Sequence, residues 1–154
     1  MSETFTFRKP GRLVDGDLSL VLTKKSPADP AKGHVPAYVF TMRQVGTRRR
    51  MGRISFRVGS ARKLRYPGHI GYGVLKRYRG HRYAARACKL LFDLAADHGL
   101  KALWITCKPD NKASRRTLEV IGGRYVETVR IPKPHEMYRR DYRYVRRYRI
   151  ALKR

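Results

Sequence analysis

The strongest constraint on the fold lies at residues 69–99, where a strand pattern runs through a basic turn into an amphipathic helix. In 69–75 (HIGYGVL), Ile70, Tyr72 and Val74 fall on one face and His69, Gly71 and Gly73 on the other, the two-residue period of a strand. The two glycines strip one face of side chains, as happens at a bulge or where a ligand approaches the backbone. After the turn, Ala84, Ala87, Cys88, Leu91, Leu94 and Ala95 recur at three- and four-residue spacing, opposite Arg86, Lys89, Asp93 and Asp97. Gly99 stands where a helix C′ residue belongs. Between strand and helix, Lys76-Arg77-Tyr78-Arg79-Gly80-His81-Arg82-Tyr83-Ala84 delivers the chain directly into a helix N-terminus. Unpaired N–H groups and the positive end of the helix dipole favour an anion there, and Arg77, Arg79 and Arg82 add charged donors. A pyrophosphate is a natural occupant.

The flanking sequence supplies the rest of a layered domain. Residues 18–23 (LSLVLT), 37–43 (AYVFTMR) and 53–58 (RISFRV) read as strands, the last two forming a hairpin around 46–52, with a loop at 26–33. Residues 103–107 (LWITC) read as a buried strand. Pro109-Asp110-Asn111 then caps a second helix with an apolar face of Ala113, Thr117, Leu118 and Ile121, stopped by Gly122-Gly123. Strands over 125–131 and 142–150 close the chain. This order predicts an α/β (α+β) fold, a single mixed, mostly antiparallel sheet of about six to seven strands with helices on its faces. The 154 residues suit one domain spanning 1–154, with 1–17 irregular.

Charge speaks to partners. Lys and Arg number 37 against 11 Asp and Glu, a formal +26 concentrated at 43–65, 76–89 and 139–154. Charge spread over several ordered elements predicts basic faces, not a single disordered arm. Such a surface repels free polyamines and attracts RNA, ribosomes and other polyanions. No apolar run is long enough to span a membrane, and the first residues lack the apolar core of a secretory signal, so a cytoplasmic protein is expected. Cys88 and Cys107 lack metal or redox spacing, and His34, His69, His81, His98 and His135 share no zinc-ligand pattern, so no metal is expected. Gly71-x-Gly73 is not a dinucleotide fingerprint, and no G-K-[ST] phosphate loop occurs.

Residues 74–91 (VLKRYRGHRYAARACKLL) resemble the coenzyme A-binding motif of GCN5-related N-acetyltransferases (GNAT), Q/R-x-x-G-x-G/A, through Arg77-x-x-Gly80-x-Arg82. Asn111-x-x-Ser114 before Gly122-Gly123 is similar to that family's second signature, and Arg82 departs from the Gly or Ala of the motif. The resemblance implies acetyl transfer from acetyl-CoA to an amine. By it, the backbone of Val74, Leu75 and Lys76 would pair with the pantetheine arm. Arg77 and the amides of Arg79, Gly80, His81, Arg82, Tyr83 and Ala84 would hold the pyrophosphate, with Asn111 and Ser114 nearby. Asn111 and Ser114 could equally serve as cap and first-turn residue. The family's usual tyrosine position holds Leu118, which leaves His69, Tyr72, Asp110 and Tyr138 as catalytic candidates by elimination. The short loop between the first strands has no room for full-length early helices, and an open acceptor side suits a macromolecular substrate. A non-catalytic nucleic-acid-binding module on the same fold, and a small-molecule amine acetyltransferase, are the competing readings. Homodimerisation through a sheet edge is open to such a domain.

Overall fold

The computed structural model describes residues 5–153. Five strands form an antiparallel meander in chain order: β1 (Leu13–Asp15), β2 (Leu18–Ser26), β3 (Ala37–Gln44), β4 (Arg50–Arg57) and β5 (Ile70–Val74). Their period-2 pattern separates two faces. On β2, β3 and β4, Leu18, Leu20, Tyr38, Phe40, Met42, Ile54 and Phe56 are buried together on one face. Sealing a side chain of this size from water is worth roughly 1.5–3 kcal/mol. Against this face pack α1 (Tyr83–Leu90), α2 (Phe92–Asp97) and α3 (Lys112–Val120), through Ala87, Cys88, Leu91, Ala95 and Leu118. The opposite face of β4 carries Arg53, Ser55 and Arg57, beside Gly73 and Gly71 of β5.

Three further strands, β6 (Ala102–Cys107), β7 (Arg124–Arg130) and β8 (Tyr144–Ala151), make a second sheet in the order β6-β8-β7. A short helix, α4 (Glu136–Arg139), interrupts the β7–β8 connection. Of the alternating tyrosines of the final segment, Tyr148 is fully buried whereas Tyr144 is exposed. Arg147 of β8 is also buried, paired with Glu127 at 2.6 Å and lying over Trp104 at 4.2 Å.

The α+β layering follows the sequence reading, with corrections. The strands number eight among the described residues and form two sheets, not one. Among the described residues the main-chain pairing between the sheets is the Gly68–Ile105 bridge and the 2.6 Å bond from the His69 amide to the Trp104 carbonyl, both just before β5, and no ladder continues along β5. At this junction a side chain takes a main-chain group of β6, the His69 ring accepting from the Trp104 amide at 2.9 Å, while Thr106 Oγ1 donates to the Tyr66 carbonyl at 2.6 Å. The expected continuous helix breaks at Leu91 (φ −94°, ψ −5°) into α1 and α2, with the predicted face still buried apart from the half-buried Ala84, and Gly99 at φ +81° after its end. Leu13–Asp15 forms a strand inside the stretch expected to be irregular, tied down by Arg86, which pairs with Asp15 at 2.9 Å and Asp17 at 2.8 Å. Residues 1–4 of that stretch, and Arg154, lie outside the described residues. Between β2 and β3 the described chain holds only a 3₁₀ turn, Pro30–Lys32.

Candidate active site

Where β5 and β6 part, a cavity of about 1760 Å³ opens. One end reaches Tyr72, Cys107, Asn111 and Ser114; the other is walled by the β2–β3 connection, the outer face of β4 and the α4 region. The register of β4 with β5, bounded by the bonds from Arg57 N to His69 O and from Leu75 N to Met51 O, turns the main-chain groups of Gly71 and Gly73 towards β4. Those of Tyr72 and Val74 therefore face the gap. β5 thus links the cavity, at Gly71 and Tyr72, to the basic turn beyond Val74. Residues 76–84 do not line the cavity; they lie at the surface end of the same strand.

The turn begins with a 3₁₀ segment, Lys76–Tyr78, which consumes the Tyr78 amide on Leu75 and the Arg79 amide on Lys76. The Leu75 amide is likewise spent on Met51. Among the described residues the amides of Gly80, His81 and Arg82 make no main-chain bond, and those of Tyr83 and Ala84 open α1, which has no side-chain cap. The amides available to a ligand are accordingly 80–84, one fewer than the sequence predicted. The Arg79 guanidinium turns back to the Val74 carbonyl at 3.2 Å. Gly80 (φ +94°) and Arg82 (φ 59°, ψ 27°) both adopt left-handed backbone. That conformation explains why glycine suits the position of Arg82, and its side chain costs roughly 1–2 kcal/mol there.

The four catalytic candidates separate cleanly. Tyr72 lines the cavity, its hydroxyl 2.7 Å from Ser114 Oγ; burial above all holds its phenol well above the ordinary range, so it stays protonated. Ser114 in turn gives its amide to the Asn111 side chain at 3.1 Å, so Asn111 caps α3 while standing at the cavity wall. His69 is a strut: Nε2 bonds the Gly59 carbonyl at 2.9 Å and Nδ1 accepts from Trp104 N, which leaves no nitrogen for proton transfer. Asp110 is exposed and Tyr138 stacks under Arg143 at 3.7 Å beside Val129 and Ile131, and neither lines the cavity.

Burial lowers the His69 pKa from its ordinary 6.5, against the opposing bond to the Gly59 carbonyl, and burial likewise lowers that of His98, bonded to Tyr38 at 2.6 Å. Between each lowered value and 6.5 the unfolded chain binds the proton and the folded one does not, so stability rises with pH through that window. The melting temperature is expected to fall on acidification below about pH 6.5. His69→Gln, whose amide can bridge the same two groups without titrating, should flatten that slope in a pH series of thermal melts.

Other cavity residues had no signal in the sequence. Arg57, on a strand read only as part of a basic stretch, puts its guanidinium against the bare backbone of Gly71, where an added Cβ would lie 3.0 Å from Nη2. The glycine that promised a ligand at the backbone is therefore covered by this side chain. His34 and Glu136, 102 residues apart, meet at 2.9 Å and join the two loops that wall the cavity. Among the described residues no group of His, Cys, Asp and Glu could hold a metal, and no helix is long and apolar enough to cross a membrane.

The model of the acetyltransferase (GNAT) domain matches residues 18–124. A sequence search of curated proteins finds no significant match. Similar solved structures include a Salmonella typhimurium acetyl transferase that modifies the N-terminal serine of ribosomal protein L7/L12. It is 18% identical with a TM-score of 0.59 over 76% of this chain and 64% of that one. The microcin C7 self-immunity acetyltransferase MccE, in complex with acetyl-CoA and AMP, is 19% identical with a TM-score of 0.57 over 75% and 61%. A Bacillus anthracis GNAT-family acetyltransferase is 23% identical with a TM-score of 0.57 over 75% and 67%. The chain thus spans less than two thirds of the length of the first two. The matched domain, the splayed sheets and the glycine turn before α1 agree, and the chain belongs to the GNAT acetyltransferase family.

Proposed function

We propose that this protein is an acetyl-CoA-dependent N-acetyltransferase. The observation that carries the reading is the polar edge of β5 at Tyr72 and Val74, turned away from β4, which links a turn whose amides have no main-chain partner among the described residues to a cavity lined by the half-buried Tyr72. Amides 80–84, with Arg77 and Arg82, suit the coenzyme's pyrophosphate, and the Tyr72 and Val74 edge suits its amide-bearing arm. Acetyl-CoA supplies an activated thioester carbonyl. An acceptor amine attacks its carbon, the C–S bond breaks, and the amine gives up a proton while the thiolate gains one. Tyr72, neutral and oriented by Ser114, donates to the thiolate. Glu136, the carboxylate on the described cavity wall, serves the amine side with His34.

The +26 charge favours an acceptor carried on a polyanion or an acidic partner, in the cytoplasm, and the β2–β3 connection, whose described chain holds a 3₁₀ turn in place of full-length helices, favours a macromolecular amine. The structural neighbour that acts on a ribosomal protein supports this choice of class. Acetyl transfer from labelled acetyl-CoA into lysate fractions is expected to mark protein or RNA, with a rate that falls steeply as salt rises. Label found only in free small amines would replace the acceptor class. A thermal shift produced by RNA but not by acetyl-CoA would sink the enzyme and leave a basic binding module.

A further inference from the structure

The acceptor side of the cavity holds a cation with no salt-bridge partner among the described residues. Arg57 extends from the face of β4 opposite the helices, and among the described residues one of its nitrogens is hydrogen-bonded: Nη1 donates at 3.2 Å to the carbonyls of both Pro67 and Gly68. Both partners are neutral, and among the described residues Arg57 joins no salt bridge. Nη2 lies over Gly71, a cavity residue, and the position of that glycine without a Cβ is what lets the guanidinium lie flat there. Arg53 and Arg140 line the same space. The carboxylate of the wall, Glu136, is already held by His34 through both oxygens, at 2.9 and 3.1 Å.

Burial first, and the Arg140 charge next, press the Arg57 pKa below its ordinary value, with Glu136 pulling the other way and Arg53 adding to the repulsion. An arginine does not shed its proton under these conditions, so the unfavourable field remains until an anion enters. A guanidinium with one edge pinned and the other free presents a planar fork of the kind that matches a carboxylate or phosphate.

We propose that Arg57, with Arg140, forms an oxyanion-binding subsite that selects acceptors carrying a carboxylate or phosphate close to the amine to be acetylated. The placement of that amine rests on the transferase reading; the subsite itself does not. Glu136 at the same wall supplies the opposite charge, so an acceptor with an ammonium and an oxyanion a few bonds apart meets a complementary pair. An oxyanion bound there anchors the acceptor beside the gap and does not take part in bond making, which makes Arg57 a determinant of specificity.

The test uses acetylated, product-like peptides, so that binding is read without turnover and without coenzyme: N-acetyl-Ala-Glu-Ala-amide, the phosphoserine counterpart, and the glutamine counterpart as uncharged isostere. Binding is followed by calorimetry at physiological salt, and by the Nε–Hε resonance of Arg57 in ¹⁵N-labelled protein. The native chain is expected to bind the glutamate or phosphoserine peptide about 10- to 100-fold more tightly than the glutamine peptide, with the Arg57 resonance shifting. The better of the two anions identifies the group. Arg57→Met should bring that ratio to within about twofold and Arg57→Lys should restore part of it. Because Arg57 also ties down the Pro67–Gly68 turn, Arg140→Gln at an exposed position provides a second variant, expected to lower the ratio several-fold with thermal stability unchanged. Arg48→Gln, in the β3–β4 turn and outside the cavity wall, controls for general surface charge and should leave the ratio alone. Equal binding of the glutamate and glutamine peptides, or a ratio untouched by both Arg57→Met and Arg140→Gln, overturns the subsite. Retained discrimination in a protein that neither binds acetyl-CoA nor transfers acetyl groups would instead refute the enzyme and leave the anion site standing.

Discussion

Gly80→Glu is expected to weaken acetyl-CoA binding by at least about 100-fold, equivalent to about 2.7 kcal/mol, when titrated calorimetrically against the native chain. The turn's amides from Gly80 to Ala84 carry no main-chain partner among the described residues before α1 takes over, and the helix dipole adds to their positive potential. A carboxylate at position 80 would set a negative charge where a diphosphate is to be held. Gly80 also has φ +94°, so any side chain there strains the backbone; Gly80→Ala separates the two effects. A Cβ at this position meets nothing within 4 Å, so alanine introduces strain without a clash and should cost no more than about tenfold in affinity. Arg82→Gly, which suits the left-handed backbone of its position, should fold at least as stably as the native chain and reveal what the guanidinium contributes. Similar losses for Gly80→Ala and Gly80→Glu would mean that shape, not charge, governs the turn. Undiminished binding by Gly80→Glu would remove the coenzyme from this end of β5.

Tyr72→Phe should lower kcat about 100-fold while leaving KM for acetyl-CoA nearly unchanged. The ring stays in β5 and only the hydroxyl is lost, together with its 2.7 Å bond to Ser114, which contributes about 1 kcal/mol to stability. Because burial keeps the phenol protonated across the working pH range, the hydroxyl acts as a donor, and the rate should show no alkaline decline below pH 9 from this group. Ser114→Ala, which leaves the hydroxyl in place without its bond to Ser114, should fall between native and Tyr72→Phe. A kcat within about threefold of native for Tyr72→Phe would assign the leaving-group proton to solvent.

The parts of the site that could be read from the chain are those set by neighbours in sequence. The Gly80 bend, the alanine-rich face of α1, the stop at Gly99 and the Asn111 cap each follow from the spacing of a few residues, and each stands where that spacing put it. The division into two sheets did not follow, because at their junction a side chain takes the Trp104 amide, a contact between residues 35 apart. For the same reason His69 looked like a base until both of its nitrogens proved occupied. Arg57 was hidden by abundance: among so many arginines, nothing local distinguishes the one whose strand phase and facing glycine send it inwards. His34 and Glu136 are joined only by tertiary structure, and no pattern within either loop announces their meeting.

The His69 strut carries one more consequence. Its imidazole works as a stop: by occupying the Trp104 amide where the two ribbons touch, it denies that amide to the backbone at the end of their pairing. A shorter residue in its place would release that amide to the adjoining backbone, and the passage would narrow as the chain gained main-chain bonds. This protein can therefore be disarmed by becoming more regular, and a variant that melts normally yet admits no substrate is the form such damage would take.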